Sequence, residues 1–266
     1  YTSIQDAVNA APDNRQEPWL IFLKNGSYRE QVIIPATKTY IHLIGQDKER
    51  TIIHLKLNVG GKPDANTKDL AYWHYSVHNP KSAVSHFEGA VVNINASDFY
   101  SENISYVNDW GLEAQNGPQA LALKTKADRI AFYNCKFRSF QDTWMTTTRD
   151  ADRHYVKECW LEGAVDYFYG GGNALVEEST LYNVRSGSVI VAPCHESVKY
   201  GYVFRNCVID GNEQAADGKL KLGRPWHNSP KAVYINTLVK IPLAPEGWTN
   251  MGTIPALFAE YNSMDM

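Results

Sequence analysis

Apolar residues recur at two periods along this chain, and the change comes early. Ile4, Ala7, Val8 and Ala11 fall at i, i+3, i+4 and i+7, the spacing of one helical face. Thr2 and Gln5 fit a capping box, and Pro12-Asp13-Asn14 is a stop signal, so a short helix is predicted over Thr2 to Ala11. After it the period shortens. Trp19 to Leu23, Tyr28 to Ile34, Tyr40 to Ile44 and Thr51 to Leu57 are short apolar or alternating runs broken by turn residues such as Lys24-Asn25-Gly26. They predict strands with no long helix between them. Gly60 to Val84 departs from both patterns: it is polar, carries Gly60-Gly61 and Pro63-Asp64, and reads as a long loop leaving the scaffold. Its aromatics Tyr72, Trp73 and Tyr75 either form a sugar-binding wall or pin the loop down.

From Ala90 onward one phrase repeats: a polar residue, a small, β-branched or Cys residue, a strand residue and an apolar one. It begins at Asn103, Asn134, Glu158, Glu178, Asn206 and Asn236. Two copies match over a longer stretch, DRIAFYNCKFRSFQD from Asp128 and DRHYVKECWLEGAVD from Asp152, with a constant offset of 24 residues. A fixed strand with loops of varying length between copies is how one coil of a solenoid reads. The expected fold is all-β, a parallel β-helix with a short N-terminal capping helix and long loops. The recurrent Asn and Cys are expected to stack along its interior. A single domain over residues 1–266 is expected, truncated at both ends relative to a complete β-helix.

Composition narrows the class without naming it. A 44% hydrophobic content supports a sizeable core, while the net charge of −3 argues against general nucleic-acid binding. No apolar run approaches the ~18 residues of a membrane span. The four cysteines, at 135, 159, 194 and 207, show no C-x-x-C spacing, which disfavours zinc. Cys135 and Cys159 share one repeat position, where buried thiols are favoured over a disulfide.

The 24-residue echo also brings together two carboxylates. Asp142 and Asp166 occupy one position of adjacent coils, and neighbouring strands lie about 4.8 Å apart. Like charges that close cannot both ionise easily, so one pKa is pushed up and a proton donor stands beside a carboxylate. By residue type alone, the pair suits an acid and a nucleophile, or the two carboxylates of a glycosidase.

Five separated segments then resemble the pectin methylesterases, carbohydrate esterases whose fold, implied here, is a right-handed parallel β-helix with long loops forming a substrate cleft. They are GSYRE from Gly26, GPQALAL from Gly117, FQDTW from Phe140, VDYFYGGGNA from Val165 and LGRPW from Leu222, and FAEY near the end also fits. The resemblance implies that Asp166 is the nucleophile on a galacturonate methyl ester and Asp142 the general acid and then base. It implies that Gln119 and Gln141 donate to the oxyanion, and that Arg224 pairs with Asp166 and keeps it ionised. Trp226, Tyr169, Met145, Trp144 and Val165 are expected to line the substrate cleft. Met145 stands where relatives carry an aromatic, and Trp144 replaces an aliphatic. The implied substrate is methylated pectin, with no cofactor, no metal, no nucleic acid, no membrane partner, a monomer, and a secreted or periplasmic setting. A calcium-dependent lyase, a glycosidase, or a carbohydrate-binding or thioesterase-like relative are the alternatives on the same scaffold.

Overall fold

The computed structural model describes residues 1–58 and 89–265. The long polar stretch expected over Gly60 to Val84 lies outside the described residues. Within them the chain winds into three parallel sheets of nine, nine and seven strands. Each of the first seven coils gives one strand to each sheet before climbing to the next, and the last two give strands to the first two sheets only. The coil that carries Asp142 runs through Ile130–Tyr133, Lys136–Arg138 and Trp144–Met145; the next runs through Arg153–Lys157, Trp160–Gly163 and Val165–Gly170. Ile130 pairs with His154, Lys136 with Trp160 and Trp144 with Phe168. All three sheets therefore hold the 24-residue offset expected from the echo. The parallel β-helix expected from the repeat is the fold observed.

The first coil begins at a helix, Ile4–Ala10, shorter than expected and capped differently. Ser3, rather than Thr2, accepts from the Asp6 amide at 3.1 Å. The Glu30 carboxylate accepts from the Ile4 and Gln5 amides at 2.9 and 3.1 Å, so an acidic side chain from the coil satisfies the helix N-terminus. Gln5 instead reaches the backbone of Ile33 in both directions, tying the helix to the strand Val32–Ile34.

The repeated polar residue is not interior. Asn103, Asn134, Glu158, Glu178, Asn206 and Asn236 all have φ between 49° and 58°. Each is the left-handed residue that bends the chain from the first sheet into the second, and this conformation turns its side chain outward. Asn tolerates it better than other non-glycine residues. The asparagines still form a ladder, at the outer corner: Asn134 donates to Asn103 at 2.7 Å and Asn236 to Asn206 at 3.1 Å. The residue after the bend points inward. Cys135, Cys159 and Cys207 are buried free thiols, and the Cys135 amide donates to Cys159 Sγ at 3.3 Å.

Aromatic side chains fill the core beneath the paired aspartates. Phe132, Phe137, Trp144 and Phe168 pack with ring centroids 4.7 to 5.1 Å apart. Trp144, expected in the cleft, is fully buried here, and its Nε1 donates to Thr125 Oγ1 at 3.1 Å. The reason is strand alternation. Met145 faces out, so its neighbour Trp144 must face in. Trp144→Ala is expected to cost about 3–5 kcal/mol, the usual range for emptying a buried aromatic site. Chemical denaturation should show it as a lower midpoint at unchanged slope.

Candidate active site

The seven-stranded third sheet carries the site on its outer face. A cleft of about 300 Å³ there is lined by Gln119, Lys124, Gln141, Asp142, Met145, Asp166, Tyr169, Arg224 and Trp226, with Ala192 and Met251 beside them. Adjacent coils supply these residues at matching heights. Met145 pairs with Lys124 on one side and with Tyr169 on the other, and Tyr169 pairs with Ala192.

Both aspartates sit at irregular points of this sheet. Asp142 and Asp166 have φ of 60° and 50°, left-handed values that a carboxylate side chain tolerates but strands do not use. At Asp166 the pairing slips: Val165 pairs with Val189, but Phe168 pairs with Val191, so the strand carries one extra residue. This bulge lets Asp166 and Tyr169, three apart, face the same cleft, while Tyr167 and Phe168 between them are fully buried. Asp142 and Met145 repeat that spacing one coil earlier. The register around the pair is intact: Gln141 bridges Val165, and the Asp142 amide donates to the Val165 carbonyl at 2.9 Å.

Val165, which the resemblance placed in the cleft, lies elsewhere. Its side chain lies against Phe140, Ala164 and Val184, in a separate apolar cluster on the side of the second sheet. It supports the strand that holds Asp166 and does not line the cleft.

Arg224 grips one aspartate and not the other. Its Nε and Nη2 donate to the two Asp166 oxygens at 2.9 and 2.6 Å, a two-point fork. The segment that carries it is itself sewn down, because the Arg224 amide donates to Val191 O and the Trp226 amide to Pro193 O. Trp226 then stands edge-on to Tyr169, ring centroids 5.6 Å apart.

The two carboxyls differ in charge setting. Burial lifts Asp142 well above the usual carboxylate range, and the neighbouring charge of Asp166 adds to the lift; Arg224 and a hydrogen bond from Tyr169 oppose it. Burial raises Asp166 too, which the Arg224 ion pair counteracts without reversing. Arg224 therefore does not depress Asp166 below the ordinary carboxylate value. The difference between the two carboxyls remains, since among the described residues Asp142 makes no ion pair of its own and is lifted further. The weaker acid of the pair is Asp142 and the more readily ionised group is Asp166.

Gln119 follows a cis peptide bond between Gly117 and Pro118 and is anchored by the next residue, whose amide donates to Gln141 O at 3.0 Å. Both glutamine amides thus border the cleft beside the carboxyls. Beyond them, Gly170 to Gly172 form a corner. A Cβ on Gly170 would lie 2.7 Å from Thr146 Oγ1, and its φ of 112° is closed to other residues, so no side chain fits where that strand ends.

Lys124 is the charged cleft residue that sequence reading missed, along with the apolar Ala192 and Met251. It is largely buried, in the strand Leu121–Thr125. A single charge inside the run LALKT was its only signal. A second short helix, Asp109–Ala114, was also missed; Asn108 caps it by accepting from the Trp110 amide at 3.1 Å.

Comparison with known proteins decides the family. The pectinesterase family model matches residues 1–73 and 74–263. The chain belongs to the pectinesterase family. Pectinesterase 31 of Arabidopsis thaliana is 32% identical over 267 residues, covering 98% of this chain and 78% of that protein. A pectinesterase of Petunia integrifolia is 29% identical, over 99% of this chain and 67% of its own length. Among solved structures, carrot pectin methylesterase superposes with a TM-score of 0.81 at 23% identity, covering all of this chain and 79% of that one. As in that pectinesterase, the architecture here is the parallel β-helix.

Proposed function

We propose that this chain hydrolyses the C6 methyl esters of polygalacturonate, releasing methanol, with Asp166 as nucleophile and Asp142 as acid and base. One observation carries the assignment. Two carboxyls in register face one cleft, and the forked guanidinium of Arg224 holds only Asp166.

In this reading an Asp166 oxygen attacks the ester carbonyl, and the carbonyl electron pair moves onto oxygen. Gln119 and Gln141 donate their amide N–H groups to that oxyanion; such a donor is typically worth about 3 kcal/mol in the barrier. The C–O bond to methanol then breaks, and Asp142 gives its proton to the departing oxygen. The product is an acyl-enzyme, an anhydride between Asp166 and the galacturonate carboxyl. Asp142, now a carboxylate, takes a proton from water as the water attacks the acyl carbon. Asp166 leaves as a carboxylate and Asp142 is reprotonated for the next cycle. Trp226, Tyr169 and Met145 form the walls of the cleft. Every group that acts comes from one chain, which supports action as a monomer. A polymeric substrate supports a secreted or periplasmic setting.

The test is incubation with highly methylated pectin, following methanol, acid and chain length with and without EDTA. Methanol and one equivalent of acid, with chain length unchanged and no effect of EDTA, are the expected result. Unsaturated oligomers that vanish with EDTA would establish a lyase, new reducing ends a glycosidase, and no product a binding protein or an esterase for other substrates.

A further inference from the structure

We propose a second catalytic site on this chain: Ser27, His54 and Asp109 form a serine-hydrolase relay that cleaves short-chain acyl esters, with Ser27 as nucleophile. Ser27 Oγ lies 2.7 Å from His54 Nε2, and His54 Nδ1 lies 2.6 Å from Asp109 Oδ2. Both fall within the reach, about 2.6–3.2 Å, that joins a nucleophile to its base and the base to the group that orients it. The relay stands on the outer face of the second sheet, whereas the paired aspartates belong to the third.

Parallel register builds the relay. Arg29 of the strand Gly26–Arg29 pairs with His54 of Thr51–Leu55, and His54 pairs with Val107 of Ser105–Asn108. Ser27 comes two residues before Arg29, and Asp109 two after Val107, so the three residues lie on a diagonal across three coils. Residues two apart share a face of a strand. Asp109 opens the helix Asp109–Ala114, and the residue before it is fixed on three sides. Asn108 is fully buried, accepts from the Leu57 and Trp110 amides at 3.2 and 3.1 Å, and donates to Leu121 O at 2.9 Å. The hydrogen positions follow from the partners. A carboxylate only accepts, so His54 Nδ1 carries the hydrogen, and Nε2 of the neutral ring accepts from the Ser27 hydroxyl. That is the tautomer in which the ring can take the serine proton.

The nucleophile faces solvent and its base is sheltered: Ser27 is exposed, while the His54 and Asp109 side chains are 20% and 27% exposed. Ile52 lies opposite Ser27 in the pairing and gives an apolar seat for an acyl methyl group. Arg29, two residues along the same face, brings a guanidinium for the oxyanion. An open face with so small a seat suits a short acyl group. Ser27 Oγ attacks the acyl carbonyl, its proton passes to His54 Nε2, and the carbonyl electron pair moves onto oxygen. The pair returns, the bond to the alcohol oxygen breaks, and His54 gives its proton to that oxygen. Water then attacks the acyl-serine and His54 takes a proton from it. The acid leaves, and Ser27 recovers the proton from His54. The sum is ester plus water giving acid plus alcohol, with no other reactant.

The experiment is hydrolysis of p-nitrophenyl acetate by the whole chain, together with labelling by a fluorophosphonate and peptide mass spectrometry. Wild type should turn the ester over and take the label on Ser27. Asp166→Asn should do both equally well, which separates this site from the aspartate cleft. Ser27→Ala and His54→Ala should each lose at least about 10²-fold in turnover, the low end of what a positioned base contributes. Asp109→Asn, which frees the ring to take the other tautomer, should lose about tenfold or more. Ser27→Ala should still release methanol from pectin at the wild-type rate, with an unchanged thermal melt. Undiminished hydrolysis by Ser27→Ala, with no label on Ser27 in the wild type, would reduce the three residues to a clamp between coils and overturn the proposal. Loss in His54→Ala but not in Ser27→Ala would make the imidazole the nucleophile and overturn it as well. So would hydrolysis that disappears in Asp166→Asn, or a wild type that neither hydrolyses the ester nor takes the label.

Discussion

Asp166→Asn is expected to lower methanol release by at least about 10⁴-fold, the scale on which hydrolases lose turnover when the nucleophile is removed. The substitution keeps the shape of the side chain and one acceptor for Arg224, but an amide oxygen does not form the acyl intermediate. Folding should survive. Asp166 is a desolvated carboxylate whose burial outweighs the help of Arg224, so neutralising it removes a cost while weakening the fork. The two effects oppose each other, and the melting temperature should move by only a few degrees. Far-ultraviolet circular dichroism and thermal melts check the fold; a methanol assay checks the chemistry. Activity above a tenth of wild type in a folded variant would end the assignment of Asp166 as nucleophile.

The reach of sequence reading here follows the physics of the coil. The spacing of Asp128 and Asp152 predicted the observed pairing of Ile130 with His154 and of Trp144 with Phe168. Stacked strands pair one to one, so where two coils are equally long an exact repeat in residues becomes an exact register in space, and coils of other lengths absorb the difference in their loops. Side-chain direction was less legible, because it depends on backbone dihedrals that leave little trace in the pattern. A polar residue every coil reads as an interior ladder if the strand runs straight. With φ near +50° at each of those positions, the side chain turns out and the next residue turns in. Val165 lies just before the left-handed residue Asp166 and ends up on the side of the second sheet. Trp144 is a plainer case: a large aromatic beside candidate catalytic groups invites a role at the substrate, yet alternation from Met145 requires it inside. Lys124 was overlooked because one lysine in an apolar strand resembles a solvated edge. Only the neighbouring coils show that its position faces the cleft.

The aspartates were found through the 24-residue echo, and the structure adds that both break the local rule. Asp142 lies in the left-handed region two residues before a strand and Asp166 lies in it within a bulged strand. Strain of that kind persists where surrounding structure enforces it, and such places are enriched in catalytic residues. The same argument separates the two carboxyls, whose coil positions match while their partners do not.

That separation predicts opposite effects of Asp142→Asn on activity and stability. An asparagine has no acid proton for methanol and is too weak a base for water, so kcat should fall on the order of 10²–10⁴-fold. Stability should rise. Burial, then repulsion from Asp166, puts the folded-state pKa of Asp142 well above its unfolded value. A carboxyl shifted that way costs nothing while both states are protonated, below the unfolded value of about 3.9. As pH rises through the window between the two values, the unfolded chain gives up the proton and the folded one does not. Stability is then lost at about 1.4 kcal/mol per pH unit, until the folded-state pKa is passed. Asparagine does not titrate, so the variant escapes this loss. Its melting temperature should match the wild type near pH 3.5 and pull ahead as pH rises, by about 2–4 °C for each kcal/mol regained in a chain of this size. Thermal melts of both proteins from pH 3.5 to 8 measure it directly. A gap that does not grow with pH would mean that Asp142 is not held protonated by the fold, and the division of labour between the two aspartates would have to be reversed or abandoned.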